Sequence, residues 1–159
     1  LVCLEVKMIK SCMKRNVISV QSIATIRDAA LIMSARHIGF LPVVDQEKKI
    51  IGMVGLPDLL NLEMPAFFNL LNDVDFISDF GAVETTRPTA AQIDQPITDI
   101  MQPALSVSEN CGLLVAYGLM IKHNLSDLPV VSNNGTLVGI VSRVDIGSAI
   151  LSSWKEIED

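Results

Sequence analysis

The chain has 159 residues, half of them hydrophobic and only 4% aromatic, so it can bury one compact aliphatic core or two small packed ones. Its formal net charge is −6, and it contains no Lys/Arg run. It therefore has little electrostatic attraction for a phosphate backbone, and nucleic acid is excluded as an expected partner.

The chain opens at Leu1, and Leu1 to Lys10 lacks the basic start and apolar block of a secretory leader. A processed product, or a piece of a larger protein, is one expectation. The longest apolar stretch, Cys111 to Ile121, is about half the length needed to span a bilayer. Cys3, Cys12 and Cys111 show neither metal-ligand spacing nor a C-x-x-C, which suggests reduced thiols and a cytoplasmic setting. Cys111 opens an apolar helical run and reads as core packing.

The elements come twice. In the first copy a short strand is predicted over Val17 to Val20 and a helix over about Ile26 to Arg36, with Thr25 as N-cap. A strand follows over Phe40 to Val44, then the turn Asp45 to Lys49 and a strand over Ile50 to Val54. A last helix starts near Pro57, where a missing N–H costs nothing. Pro65 to Phe80 carries four of the five phenylalanines at near-helical spacing. It reads as one or two helices capping the core, or as a dimer or partner contact. Gly81 to Pro96 reads as a surface connection. In the second copy the elements are a strand over Leu105 to Val107, a helix over about Gly112 to His123, and a strand over Leu128 to Val131. A turn holding Asn134-Gly135 leads to a strand over Leu137 to Val141 and a helix from near Val144.

Sliding the sequence by 87 residues aligns the copies (Ser19 on Ser106) without a gap as far as Asp58 on Asp145. Ala29 meets Ala116, Met33 meets Met120, Leu41-Pro42-Val43-Val44 meets Leu128-Pro129-Val130-Val131, and Gly52 meets Gly139. The expected domains are residues 1–62, a helical insert and linker over 63–95, and residues 96–159.

The paired pattern of Pro-Val-Val, Gly and Asp at fixed distances, with the lead-in Ile97 to Val107, resembles the tandem cystathionine β-synthase (CBS) domain. The resemblance implies an α/β (α+β) fold: two β-α-β-β-α repeats packed as a pseudo-twofold pair with two equivalent clefts. It also implies adenosine-type ligands (AMP, ADP, ATP or S-adenosylmethionine), with no cofactor required. Homodimers, and control of an attached or partner protein, are further expectations.

An Asp at the start of the closing helix can accept hydrogen bonds from both hydroxyls of a ribose. The resemblance assigns that role to Asp58 and Asp145, although an acid at a helix start is also favoured by capping and the helix dipole. The fuller pattern, Gly-x-x-Ser/Thr-x-Ser/Thr-Asp, keeps Ser142 but has Val144 in the second copy. The first copy carries Gly55 and Pro57 instead, so the Asp145 cleft is the favoured one. There the base would meet Ser106, Val107, Leu128 and Pro129, which are core residues first. Two residues before each proline, where a basic residue is common, stand Phe40 and Asp127, which disfavours a polyphosphate. Arg143, Arg36, His37, Lys122 and His123 are candidate compensating cations, and all also fit solvated helix ends. A dimerisation module with vestigial clefts is the alternative. No Ser/His/Asp arrangement, metal spacing or Gly-rich phosphate loop points to an enzyme.

Overall fold

A computed structural model describes residues 7–64 and 87–157. Two three-stranded sheets are formed: β1 (Val20–Gln21), β2 (Phe40–Val44) and β3 (Ile50–Gly55), then β4 (Val107–Ser108), β5 (Asp127–Val131) and β6 (Leu137–Ser142). In each sheet the middle strand is parallel to the first and antiparallel to the third. Helix α1 (Ile26–Arg36) joins β1 to β2, and α2 (Leu56–Leu60) follows β3. A short α3 (Ala90–Ile93) precedes the second copy, where α4 (Leu113–Lys122) and α5 (Arg143–Ser152) take the places of α1 and α2. The mixed α/β fold expected from the repeat is the one observed.

Local chemistry sets the boundaries. Thr25 caps α1: its Oγ1 accepts from Asp28 N at 3.1 Å, and Asp28 Oδ2 accepts from Thr25 N at 2.9 Å. The helix ends at His37 in the left-handed conformation (φ 54°). Ile26, Ala29 and Met33 face the first core. Leu113, Ala116 and Met120, one repeat on, face the second.

The first strand of each copy is shorter and later than expected: Val20–Gln21 rather than Val17 to Val20, and Val107–Ser108 rather than Leu105 to Val107. Pairing begins at Val20↔Val43 and Val107↔Val130, one residue past Pro42 and Pro129, which have no N–H to offer a ladder. The expected connection over 81–96 also contains α3, which Thr89 caps and which an Arg27 Nε–Asp94 Oδ1 contact of 2.7 Å ties to α1. The Phe-rich stretch, residues 65–80, lies outside the described residues.

Packing does not follow the order of the copies along the chain. Ile9, at the start, is fully buried in the core of the second copy with Leu128, Val130 and Val141. Ile97, from the second lead-in, is fully buried in the core of the first with Leu41, Val43 and Val54. The lead-ins cross over: Lys14 bridges Ile140, and Gln102 bridges Met53. At the hairpin tips the two sheets touch, where Leu137 N donates to Lys48 O at 2.9 Å and Lys49 bridges Thr136.

Candidate functional site: two clefts between the repeats

The closing aspartates occupy equal places, at the third residue of α2 and of α5. Asp58 Oδ2 accepts from Gly55 N at 2.7 Å, and Asp145 Oδ2 accepts from Ser142 N at 2.9 Å. Ser142 Oγ also accepts from Asp145 N at 3.1 Å, a bond the side-chain-free Gly55 cannot make. Half of each carboxylate therefore serves its own helix. The other oxygen faces a lead-in residue that has crossed from elsewhere in the chain. Gln102 Nε2 donates to Asp58 Oδ1 at 3.0 Å, and Lys14 Nζ stands 3.7 Å from Asp145 Oδ1. Beside this pair, the Cys12 thiol is pushed up from its ordinary pKa by burial and by the Asp145 charge.

Lys14 and Gln102 are the site residues that the sequence reading missed. The signal was present: the lead-ins repeat at an offset of 88, with Ile9 on Ile97 and Met13 on Met101. The first copy carries one extra residue before Ser19, so the 87-residue alignment does not extend to them.

Two clefts open between the copies, of about 340 and 360 Å³, within the range of small-molecule sites. Asn124, Leu125, Ser126, Met53 and Gln102 line the first, together with Asp58, Phe40 and Arg143. The second is lined by the counterparts of five of them, His37, Ile38, Gly39, Ile140 and Lys14, with Asp127 at the place of Phe40. His37 and Asn124 share a left-handed backbone, with φ of 54° and 52°.

The expected site residues are divided by this geometry. Ser142 and Asp145 are together beside Lys14. Arg143 lies in the Asp58 cleft, where its Nε donates to Leu125 O at 2.6 Å and its Nη2 to Met120 O at 3.3 Å. Val107, Leu128 and Pro129 are buried, the first two in the second core, so a base could meet only their backbone. Ser106 is half-buried just before β4. Arg36 and Lys122 close α1 and α4, and His123 caps α4, as helix-end residues do. Among the described residues no His/Cys/Asp/Glu group could hold a metal ion.

The profile of the CBS domain matches residues 6–64 and 97–152. The chain belongs to the CBS domain family. Its two matches are the two copies, so it carries a tandem CBS pair. It is 25% identical to the uncharacterised protein MJ1426 of Methanocaldococcus jannaschii, over 92% of this chain and 93% of that one. It is 27% identical to the chloroplastic CBS domain-containing protein CBSX2 of Arabidopsis thaliana, over 92% of this chain and 63% of that one. A match to L-aspartate semialdehyde sulfurtransferase of M. jannaschii, 38% identical, spans 40% of this chain and only 13% of that enzyme. Among solved structures, CBSX2 in complex with AMP superposes with a TM-score of 0.67 at 26% identity, over 91% of this chain and 96% of that one. The CBS domain pair of MJ0100, solved with 5′-methylthioadenosine and S-adenosyl-L-methionine, shares the fold with a TM-score of 0.68 at 23% identity, over 94% and 99%.

Proposed function

We propose that this CBS pair is a ligand-sensing regulatory module that takes adenosine-type ligands in its inter-repeat clefts and controls an attached or partner protein. The observation that carries the reading is the duplicated cleft. Each copy closes on an aspartate with one oxygen bound to its own helix start and the other at a crossing lead-in residue. A ribose diol reaching Asp58 Oδ1 or Asp145 Oδ1 replaces the weak outer contact and keeps the inner one. The AMP complex of CBSX2 supports this ligand class. Each cleft is walled by both copies, so an occupant ties the lead-ins to the opposite sheets and shifts their relative population. The reading assigns no catalysis to the chain and places it in the cytoplasm.

Thermal unfolding with AMP, ADP, ATP and S-adenosylmethionine tests it. Ligand at one hundred times its dissociation constant adds about 2.7 kcal/mol of stability, and Asp145→Ala or Asp58→Ala removes the gain at its own cleft. A flat response to all four compounds sinks the reading.

A second reading, an assembly module, is favoured by one surface. Helix α4 exposes Leu114, Val115, Tyr117 and Ile121. The same positions of α1 are Arg27, Asp28, Ala30 and Ser34. This apolar face is proposed as the homodimer contact. Light scattering should give twice the chain mass, and Ile121→Glu the single mass. An unchanged mass in that variant refutes the contact.

A further inference from the structure

We infer that the two clefts divide ligands by charge, the Asp58 cleft taking the phosphate-bearing adenosine compound and the Asp145 cleft one without phosphate. The inference rests on reading both clefts as adenosine sites, and it adds which ligand each prefers.

The charges lining the clefts are different. In the Asp58 cleft the charged side chains are Asp58 and Arg143, and the neighbours Gln102, Asn124 and Ser126 are neutral hydrogen-bonding groups. A ribose diol satisfies the aspartate. The guanidinium then faces the rest of the ligand with no acid opposing it. Arg143 is held in advance: two of its N–H groups bind the carbonyls of Leu125 and Met120 at the end of α4. Arginine has five such donors, so three remain for a phosphate, and little side-chain entropy is left to lose.

The other cleft is lined by Lys14, His37 and Asp127; Lys14 already faces Asp145, and Asp127 makes no ion pair among the described residues. The Asp127 carboxylate accepts from Ser126 Oγ at 2.8 Å, a neutral partner that leaves its charge uncompensated. A phosphate placed there meets like charge, whereas a neutral nucleoside or a sulfonium does not. Sequence order hides this division, because Arg143 is two residues from Asp145 yet serves the opposite cleft.

Calorimetric titration of the full chain with AMP, adenosine and S-adenosylmethionine, joined to amide chemical-shift mapping, tests the inference. AMP is expected to shift the amides of Gly55, Leu56 and Asp58, of Gln102, and of Asn124 to Ser126. Arg143→Gln is expected to weaken AMP about tenfold or more, as loss of a charge-assisted bond does, and adenosine less than about threefold. Since Arg143→Gln also frees the carbonyls of Met120 and Leu125, Asn124→Asp is the companion variant. It adds a carboxylate at an exposed residue lining the same cleft, leaves the Gln102 contact with Asp58 in place, and should weaken AMP about fivefold or more, with adenosine again little changed. AMP shifts centred on Lys14 and Ser142 to Asp145, or equal losses for AMP and adenosine in both variants, overturn the charge division and leave the sensing function standing. Absence of binding by all three compounds overturns both.

Discussion

A Cβ at Gly139 would lie 2.7 Å from Met13 Sδ and 3.2 Å from the Lys14 carbonyl, and at Gly52 it would lie 2.5 Å from Met101 Sδ and 3.1 Å from the Gln102 carbonyl. These two glycines are the places where the crossing lead-ins press on the sheets. Gly139→Ala should cost about 1–3 kcal/mol in urea unfolding, since the backbone of Lys14 has to shift. Gly55→Ala should be nearly neutral, because its nearest neighbour would be Pro57 Cδ at an ordinary 3.4 Å. The left-handed turn position held by Gly135 (φ 82°) in one hairpin is held by Lys48 (φ 61°) in the other. Lys48→Gly should raise stability by about 0.5 kcal/mol, the relief of the Cβ clash being partly offset by the greater freedom of glycine when unfolded.

At the scale of the element, caps give an acid-sensitive margin. The Asp28 carboxyl is held below its ordinary pKa mainly by the Thr25 backbone N–H, and Asp94 by the Arg27 side chain. A carboxyl with a depressed folded value contributes stability in full above its unfolded pKa of about 4 and loses it as pH falls through the folded value. Urea midpoints measured from pH 6 to pH 2.5 should therefore fall below pH 4, and less steeply in Asp28→Asn. Thr25→Ala should cost about 1 kcal/mol through α1. These elements were legible from local pattern: Thr25 as cap, the Ile26–Arg36 span, the Phe40–Val44 strand and both closing helices lie where propensity and period put them. The first strands were not, because their length depends on which residue of the neighbouring strand is a proline.

For the whole molecule, the exchanged lead-ins make one folding unit of two repeats. Ile9→Ala should cost about 2–5 kcal/mol and lower the stability of the second core, although Ile9 lies about one hundred residues away in sequence. Residues 96–157 expressed alone should give no cooperative unfolding transition, since they lack Ile9 and Met13, and adding residues 7–64 in trans should restore it. A sharp transition from the fragment alone would show that the exchange is dispensable.

The sequence by itself determined the duplication, the order of the repeated elements, the Thr25 cap and the two aspartates. Each of these depends on neighbours a few residues apart or on similarity at a constant offset. Only the tertiary structure decided which residues share a cleft. Lys14 meets Asp145, Gln102 meets Asp58, and Arg143 turns to the cleft of the other copy. Such meetings are set by the crossing of lead-ins over Gly52 and Gly139 and by the burial of Ile9 and Ile97 in opposite cores. That is packing between distant segments, which leaves no periodic mark in the chain.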